Sequence, residues 1–218
     1  MAPARPEILT PLQRRVLTAF FAEAEFARSF YLTGGTALAA CYLFHRYSDD
    51  LDFFTHQPSL EPAWAMVQRL QSSLGLTMES RAPQFIRLRF ENELRVDLVQ
   101  DVPFRVGKPV RRQGWMVDTL ENIALNKVTA IQGRLDVKDY VDLYLLLNKQ
   151  PKQILNWLVQ AKQKDASVEP FLWSRIIGDV ETFRVLPRMI VPLTLDELVA
   201  FYRSLRRLIL ASLKPRAR

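Results

Sequence analysis

Two adjacent glycines, Gly34 and Gly35, separate a short β-prone run (Phe30-Tyr31-Leu32-Thr33) from a small-residue, helix-prone run beginning at Thr36. The chain has only 7 glycines in all, so an adjacent pair is a strong constraint. Glycine accepts the positive φ of a tight turn and lets backbone approach a ligand closely. A strand is therefore expected to turn sharply into a helix here. The first helical N–H groups beyond such a turn are unpaired and carry partial positive charge, which suits a triphosphate. Thr36 stands where it could cap the helix or touch a phosphate oxygen. By itself, Gly-Gly-Thr marks no more than a strand–helix turn.

The segments around the turn define the organisation. Apolar residues at Leu12, Val16, Phe20, Ala24 and Phe26 recur at helical spacing and predict a helix over 11–28. Asp50–Thr55 alternates charged and apolar side chains and reads as a strand. An amphipathic helix is expected over 61–73, then strands over 76–80, 85–90 and 95–100. Gly107-Lys108-Pro109 marks a break. Beyond it the pattern is helical: 120–133, 138–147, 151–162, 169–178 and 195–213. The expected class is α+β, with an α+β domain over 1–110 followed by a helical domain over 111–218.

Three acids stand out on the strands. In Asp50-Leu51-Asp52-Phe53-Phe54, residues i and i+2 share a face, so Asp50 and Asp52 project together while Leu51 and Phe53 face the core. Two close carboxylates repel unless a cation sits between them. Hard divalent ions such as Mg²⁺ or Mn²⁺ take oxygen ligands and retain bound phosphates. Asp97 adds a third carboxylate on a later strand, flanked by Val96 and Leu98. Asp-x-Asp alone is as often a solvated pair. Gly-Gly-Thr, Asp-x-Asp and a strand Asp in this order make a much rarer combination. Such a set can hold two metals, one activating an acceptor hydroxyl and one orienting a triphosphate.

Composition narrows the class. At 49% apolar and 24% charged residues the chain is not of a disordered type. A single cysteine, Cys41, excludes an internal disulfide framework and any multi-cysteine zinc site, and fits a reducing cytoplasm. The first residues lack the apolar core of a secretion signal, and no run reaches the roughly 18 apolar residues of a membrane span. Residues 1–110 carry 12 Lys/Arg against 12 Asp/Glu, and residues 111–218 carry 18 against 11, so the whole net charge of +7 lies in the second half. That asymmetry favours an anionic partner there.

The run Gly34-Gly35-Thr36-Ala37-Leu38-Ala39, followed by His45-Arg46-Tyr47-Ser48 and Asp50-Leu51-Asp52-Phe53-Phe54, resembles the AbiEii/AbiGii-type nucleotidyltransferase toxins of the DNA polymerase β-like superfamily. Residues 121–130, Arg134 and Lys138-Asp139-Tyr140-Val141-Asp142-Leu143 resemble that family's second half, so the likeness spans about 30–147. It implies a nucleotidyltransferase-fold domain with a mixed sheet and flanking helices, followed by a C-terminal helical bundle. It further implies a toxin paired with an antitoxin, moving NMP from an NTP to RNA such as the tRNA 3′ end. Carried over by position, Gly34, Gly35 and Thr36 would hold the triphosphate, with Arg46 and Ser48 lining the same pocket. Asp50, Asp52 and Asp97 would be catalytic metal ligands for Mg²⁺ or Mn²⁺. Lys127 would contact NTP phosphates, and Asp142, or else Asp139, would be a further catalytic acid.

Two other readings stay open: a small-molecule or protein acceptor, and a silent nucleotide- or partner-binding member of the fold. Intact Gly-Gly, Asp-x-Asp and Lys127 argue against the silent one. Arg111, Arg112, Arg203, Arg206 and Arg207 are the expected contacts to RNA phosphates. The segment 198–213 reads as a packing helix with a basic exposed edge. His45, His56 and Cys41 are expected to pack rather than to catalyse.

Overall fold

A computed structural model describes residues 7–91 and 93–214. Residues 1–6, read above as lacking a secretion signal, lie outside the described residues. The chain divides into two compact units, Met1–Leu120 and Glu121–Arg218.

The first unit is built on one seven-stranded sheet in the order β3-β4-β5-β2-β1-β7-β6. Its strands are β1 (Phe30–Thr33), β2 (Leu51–Thr55), β3 (Leu76–Ala82), β4 (Phe85–Phe90), β5 (Leu94–Gln100), β6 (Val110–Arg112) and β7 (Trp115–Val117). β1 with β7 and β2 with β5 run parallel, and the other neighbours are antiparallel, so the sheet is mixed. Among the described residues, α1 (Pro11–Ala22), α2 (Ala24–Ser29), α3 (Gly34–Leu38) and α4 (Glu61–Leu74) accompany it.

β2 alternates as its sequence predicts. Leu51, Phe53 and Thr55 are buried, and Asp52 and Phe54 are half-buried on the other face. Phe53 packs against Phe20 (5.6 Å between ring centroids) and Phe26 (5.2 Å), and Phe20 also meets Phe90 at 5.8 Å. Truncating one such core aromatic costs about 3–5 kcal/mol.

The single helix expected over 11–28 is two helices. Glu23 is extended (φ −73°, ψ 111°), and the bend lets the Phe26 ring stack on Phe30 at 4.5 Å. Thr10 and Gln13 form a capping box at the start of α1. The break expected near 110 lies at Leu120 instead, because β6 and β7 form a hairpin and β7 joins β1 through Leu32↔Val117. This hairpin moves Arg111 and Arg112 into the first unit.

The second unit is helical: α5 (Leu120–Gly133, starting at the boundary), α6 (Val137–Leu147), α7 (Gln153–Ala161), α8 (Pro170–Ile176) and α9 (Leu195–Ser212). α9 buries Leu198, Tyr202, Leu205 and Ile209 and leaves Arg203, Arg206 and Arg207 exposed. The buried Tyr202 hydroxyl donates to the Tyr140 carbonyl (2.8 Å), and the Trp173 indole N–H donates to the Val128 carbonyl (3.0 Å). Among the described residues, no helix is long and apolar enough to cross a membrane.

Candidate active site

Gly34 has φ +67°, in the left-handed region, and a Cβ there would lie 2.3 Å from Asp52 Oδ2. A Cβ on Gly35 would lie 2.4 Å from Arg46 Nη2 and 3.1 Å from Ser48 Oγ. Both glycines are thus required by close approach, one to a carboxylate and one to a guanidinium. Arg46 is only 1% exposed and donates to the Tyr47 carbonyl at 2.8 Å. Instead of lining an open pocket, it places a buried positive charge against the glycine turn.

Ser48 is held from behind, since the buried Gln13 amide donates to its carbonyl at 2.7 Å. Thr36 also works locally: its hydroxyl donates to the Asp50 carbonyl and ties the helix to the acidic strand. Its hydroxyl therefore does not cap α3. The residue at the N-cap, Thr33, donates to Asp118 Oδ2 at 2.8 Å.

The three strand acids share one sheet face. Asp52 and Asp97 are register partners on the parallel pair β2/β5, whose neighbouring backbones lie about 4.8 Å apart. Asp50 precedes Asp52 by two residues on the same side. That face also carries cations which the sequence reading missed. Arg87, the register partner of Asp97, grips both carboxylate oxygens at 2.8 Å. Arg95 pairs with Asp50, and its Nε lies 3.9 Å from Asp97 Oδ2. Arg89 pairs with Glu79 one strand further out. The alternation Phe85-Ile86-Arg87-Leu88-Arg89-Phe90 puts two arginines on one face, but only the register shows that this is the face of the acids.

As they stand, no three His, Cys, Asp or Glu among the described residues converge closely enough to hold a metal ion. Asp97 and Asp50 engage arginines instead. Their chemistry still fits a hard divalent cation: three oxygen-donor acids on one face, one cradled against a glycine, with a guanidinium between two of them.

Asp118 is a further acid missed by the sequence reading, which assigns residues from 111 onward to the helical half. It is fully buried at the end of β7 and accepts from Thr33, from Arg105 Nη2 (2.9 Å) and from the Thr119 amide (2.9 Å). It pins the β7 end beside Thr33.

In the second unit, Lys127 Nζ lies 2.7 Å from both Asp139 Oδ1 and Asp142 Oδ2, and neither aspartate is exposed. Arg134 donates to both oxygens of Asp139 at 2.8 and 3.2 Å. Burial alone would raise the Asp139 carboxyl, but Lys127 and Arg134 outweigh it and hold it below the usual range. Both candidate acids therefore engage the lysine, whose ammonium is caged.

His45 is buried, and His56 lies 3.4 Å from the Tyr31 hydroxyl and 3.8 Å from Asp101. Cys41 is buried in a π-helical turn over 39–43, and burial pushes its thiol up to about 11. Little thiolate is therefore present near neutral pH. Ellman's reagent is expected to react slowly with the native protein and fully in urea; rapid native labelling would contradict this.

Residues 15–107 match the model of the family described as nucleotidyl transferase AbiEii toxin, type IV toxin–antitoxin system. The matched stretch runs from within α1 to the segment before β6, so the likeness to AbiEii toxins lies in the first unit. The match contains the glycine turn and Asp50, Asp52 and Asp97. No curated protein matches the sequence. Among solved structures, JHP933 from Helicobacter pylori is similar at 20% identity and TM-score 0.57, over 93% of this chain and 90% of its own. MenT4, a nucleotidyltransferase toxin of Mycobacterium tuberculosis, is similar at 14% identity and TM-score 0.51, over 94% and 84%. The antibiotic-resistance factor ANT(2″)-Ia is similar at 12% identity and TM-score 0.57, over 73% and 96%. At such identities the likeness is one of fold.

Proposed function

We propose that this chain is a nucleotidyltransferase of the AbiEii type, transferring NMP from an NTP to an RNA acceptor in the cytoplasm as the toxin of a toxin–antitoxin pair. The observation that carries the reading is the packing of Gly34 against Asp52, itself in register with Asp97. A tight glycine turn thereby adjoins a face of carboxylates. Asp50, Asp52 and Asp97 would hold Mg²⁺ or Mn²⁺. Bound there, the metal supplies charge stabilisation for phosphoryl transfer and a more acidic acceptor hydroxyl.

The chain's own residues do the rest. Gly34 and Gly35 admit the triphosphate to the backbone, and Thr36 fixes the Asp50 segment. Ser48 and the buried Arg46 bring a hydroxyl and a positive charge to the same turn. By the resemblance Lys127 would contact NTP phosphates, and within its own unit Asp142 and Asp139 hold its ammonium.

The charge excess and the exposed arginines of α9 support RNA over a small molecule. Arg203 already pairs with Glu181 at 2.8 Å, which leaves Arg206 and Arg207 as the better contacts on that helix. The test incubates the protein with Mg²⁺, each labelled NTP and either total tRNA or no RNA. RNA-dependent labelling is expected. Binding of tRNA should weaken steeply with salt, with a shallower slope for Arg206→Glu combined with Arg207→Glu. Labelling of a small molecule or protein alone, with a flat salt slope, would replace the RNA reading.

A further inference from the structure

The parallel register aligns Asp52 with Asp97, and Asp50, just before β2, pairs with Arg95 of β5, so these four side chains form a square. Three of its corners are carboxylates and the fourth is an arginine. The Arg95 guanidinium reaches Asp50 with one Nη, while its Nε, buried and without a hydrogen bond, lies 3.9 Å from Asp97 Oδ2. A single +1 charge thus spans two of the three acids assigned above to a divalent ion. Arg87 does not share this position: it grips Asp97 alone, from β4.

We propose that Arg95 is a positioning residue that occupies the cation position of the acidic face until a divalent ion displaces it. The inference rests on the metal reading of Asp50, Asp52 and Asp97. Before displacement, the guanidinium relieves the repulsion between the acids and keeps them from collapsing onto other partners. Its single buried, unsatisfied Nε makes it an imperfect occupant, one that a hard dication with full oxygen coordination can replace. The arginine pair is about a third exposed on each side, at 38% and 30%, so giving it up costs little.

Metal affinity is therefore set in part by a competing side chain. The test measures free Mn²⁺ by electron paramagnetic resonance during titration of the whole protein, without nucleotide. Arg95→Met should bind Mn²⁺ about fivefold tighter than the native protein, the upper end of what a partly exposed ion pair is worth. Arg95→Lys, which keeps a cation on the strand, should stay close to native. Asp52→Asn should bind more weakly than native and identifies the site being measured.

If Asp52→Asn weakens Mn²⁺ binding but Arg95→Met leaves it unchanged or weaker, the displacement idea is overturned and the metal reading stands. If Asp52→Asn binds Mn²⁺ as the native protein does, the metal reading falls and the Arg95 proposal with it. A thermal melt of each variant shows whether the sheet is intact, and Arg95→Gln, which also removes the charge and should also bind more tightly, carries the comparison if Arg95→Met is not folded.

Discussion

Lys127→Ala is expected to destabilise the second unit by about 3–5 kcal/mol near neutral pH, the usual cost of removing one member of a buried ion cluster. The lysine is 6% exposed and meets two aspartates that are not exposed at all. Arg134 would still hold Asp139, but Asp142 would lose its ammonium. The pH dependence gives the result a signature. Asp139 is held below its usual range, so its contribution is fully present above the unfolded value near 4 and is lost as pH falls through the lower folded value. The gap between native protein and variant should therefore narrow on acidification, because protonation relieves the stranded carboxylates. Urea unfolding of both proteins near pH 7 and below about pH 3 measures it. A gap below about 1 kcal/mol, unchanged with pH, would show that the cage does not support the fold.

The second large effect is on activity. Asp52→Ala is expected to abolish transfer with the fold intact, because Asp52 is only half-buried and leaves no core cavity. Loss of a metal ligand should exceed the roughly 10–100-fold that follows loss of a ligand's supporting partner. Gly34→Ala should approach the same loss by another route, since its Cβ would sit 2.3 Å from Asp52 Oδ2 and push the carboxylate aside. A non-glycine residue in the left-handed region adds roughly 1–2 kcal/mol of backbone cost. Transfer assays at saturating Mg²⁺, with circular dichroism as the fold control, decide both. Undiminished labelling by Asp52→Ala would remove this acid from the reaction, and full activity in Gly34→Ala would show that the turn tolerates displacement of Asp52.

The parts legible in the sequence are those governed by local period. Leu51 and Phe53 alternating with Asp50 and Asp52 gave the strand and both of its faces, and α9 was readable from Leu198, Tyr202, Leu205 and Ile209. The adjacent glycines located the turn. What escaped depends on register or on distant partners. Nothing near Arg95 indicates that parallel pairing sets it beside Asp50. Trp115–Val117 is too short for a periodic signal and is a strand because β1 offers it an open edge. The bend at Glu23 carries no glycine or proline; it follows from where Phe26 must pack. Lys127 stood out as a lysine on an apolar helix, but its two carboxylate partners required the packing of α6.

The pairing of β1 on both sides has a consequence for synthesis. One edge of β1 is covered by β2 at Thr33↔Asp52, but the other waits for β7 at Leu32↔Val117. At about 5–20 residues per second, the interval between translating Leu32 and Val117 is on the order of ten seconds. For that time a nascent chain that has already made its glycine turn and acidic strand presents an uncovered, apolar strand edge, the kind of surface that recruits foreign strands. The β6–β7 hairpin closes it from within the same chain, and until the ribosome has passed Val117 this part of the protein depends on whatever else can shield that edge.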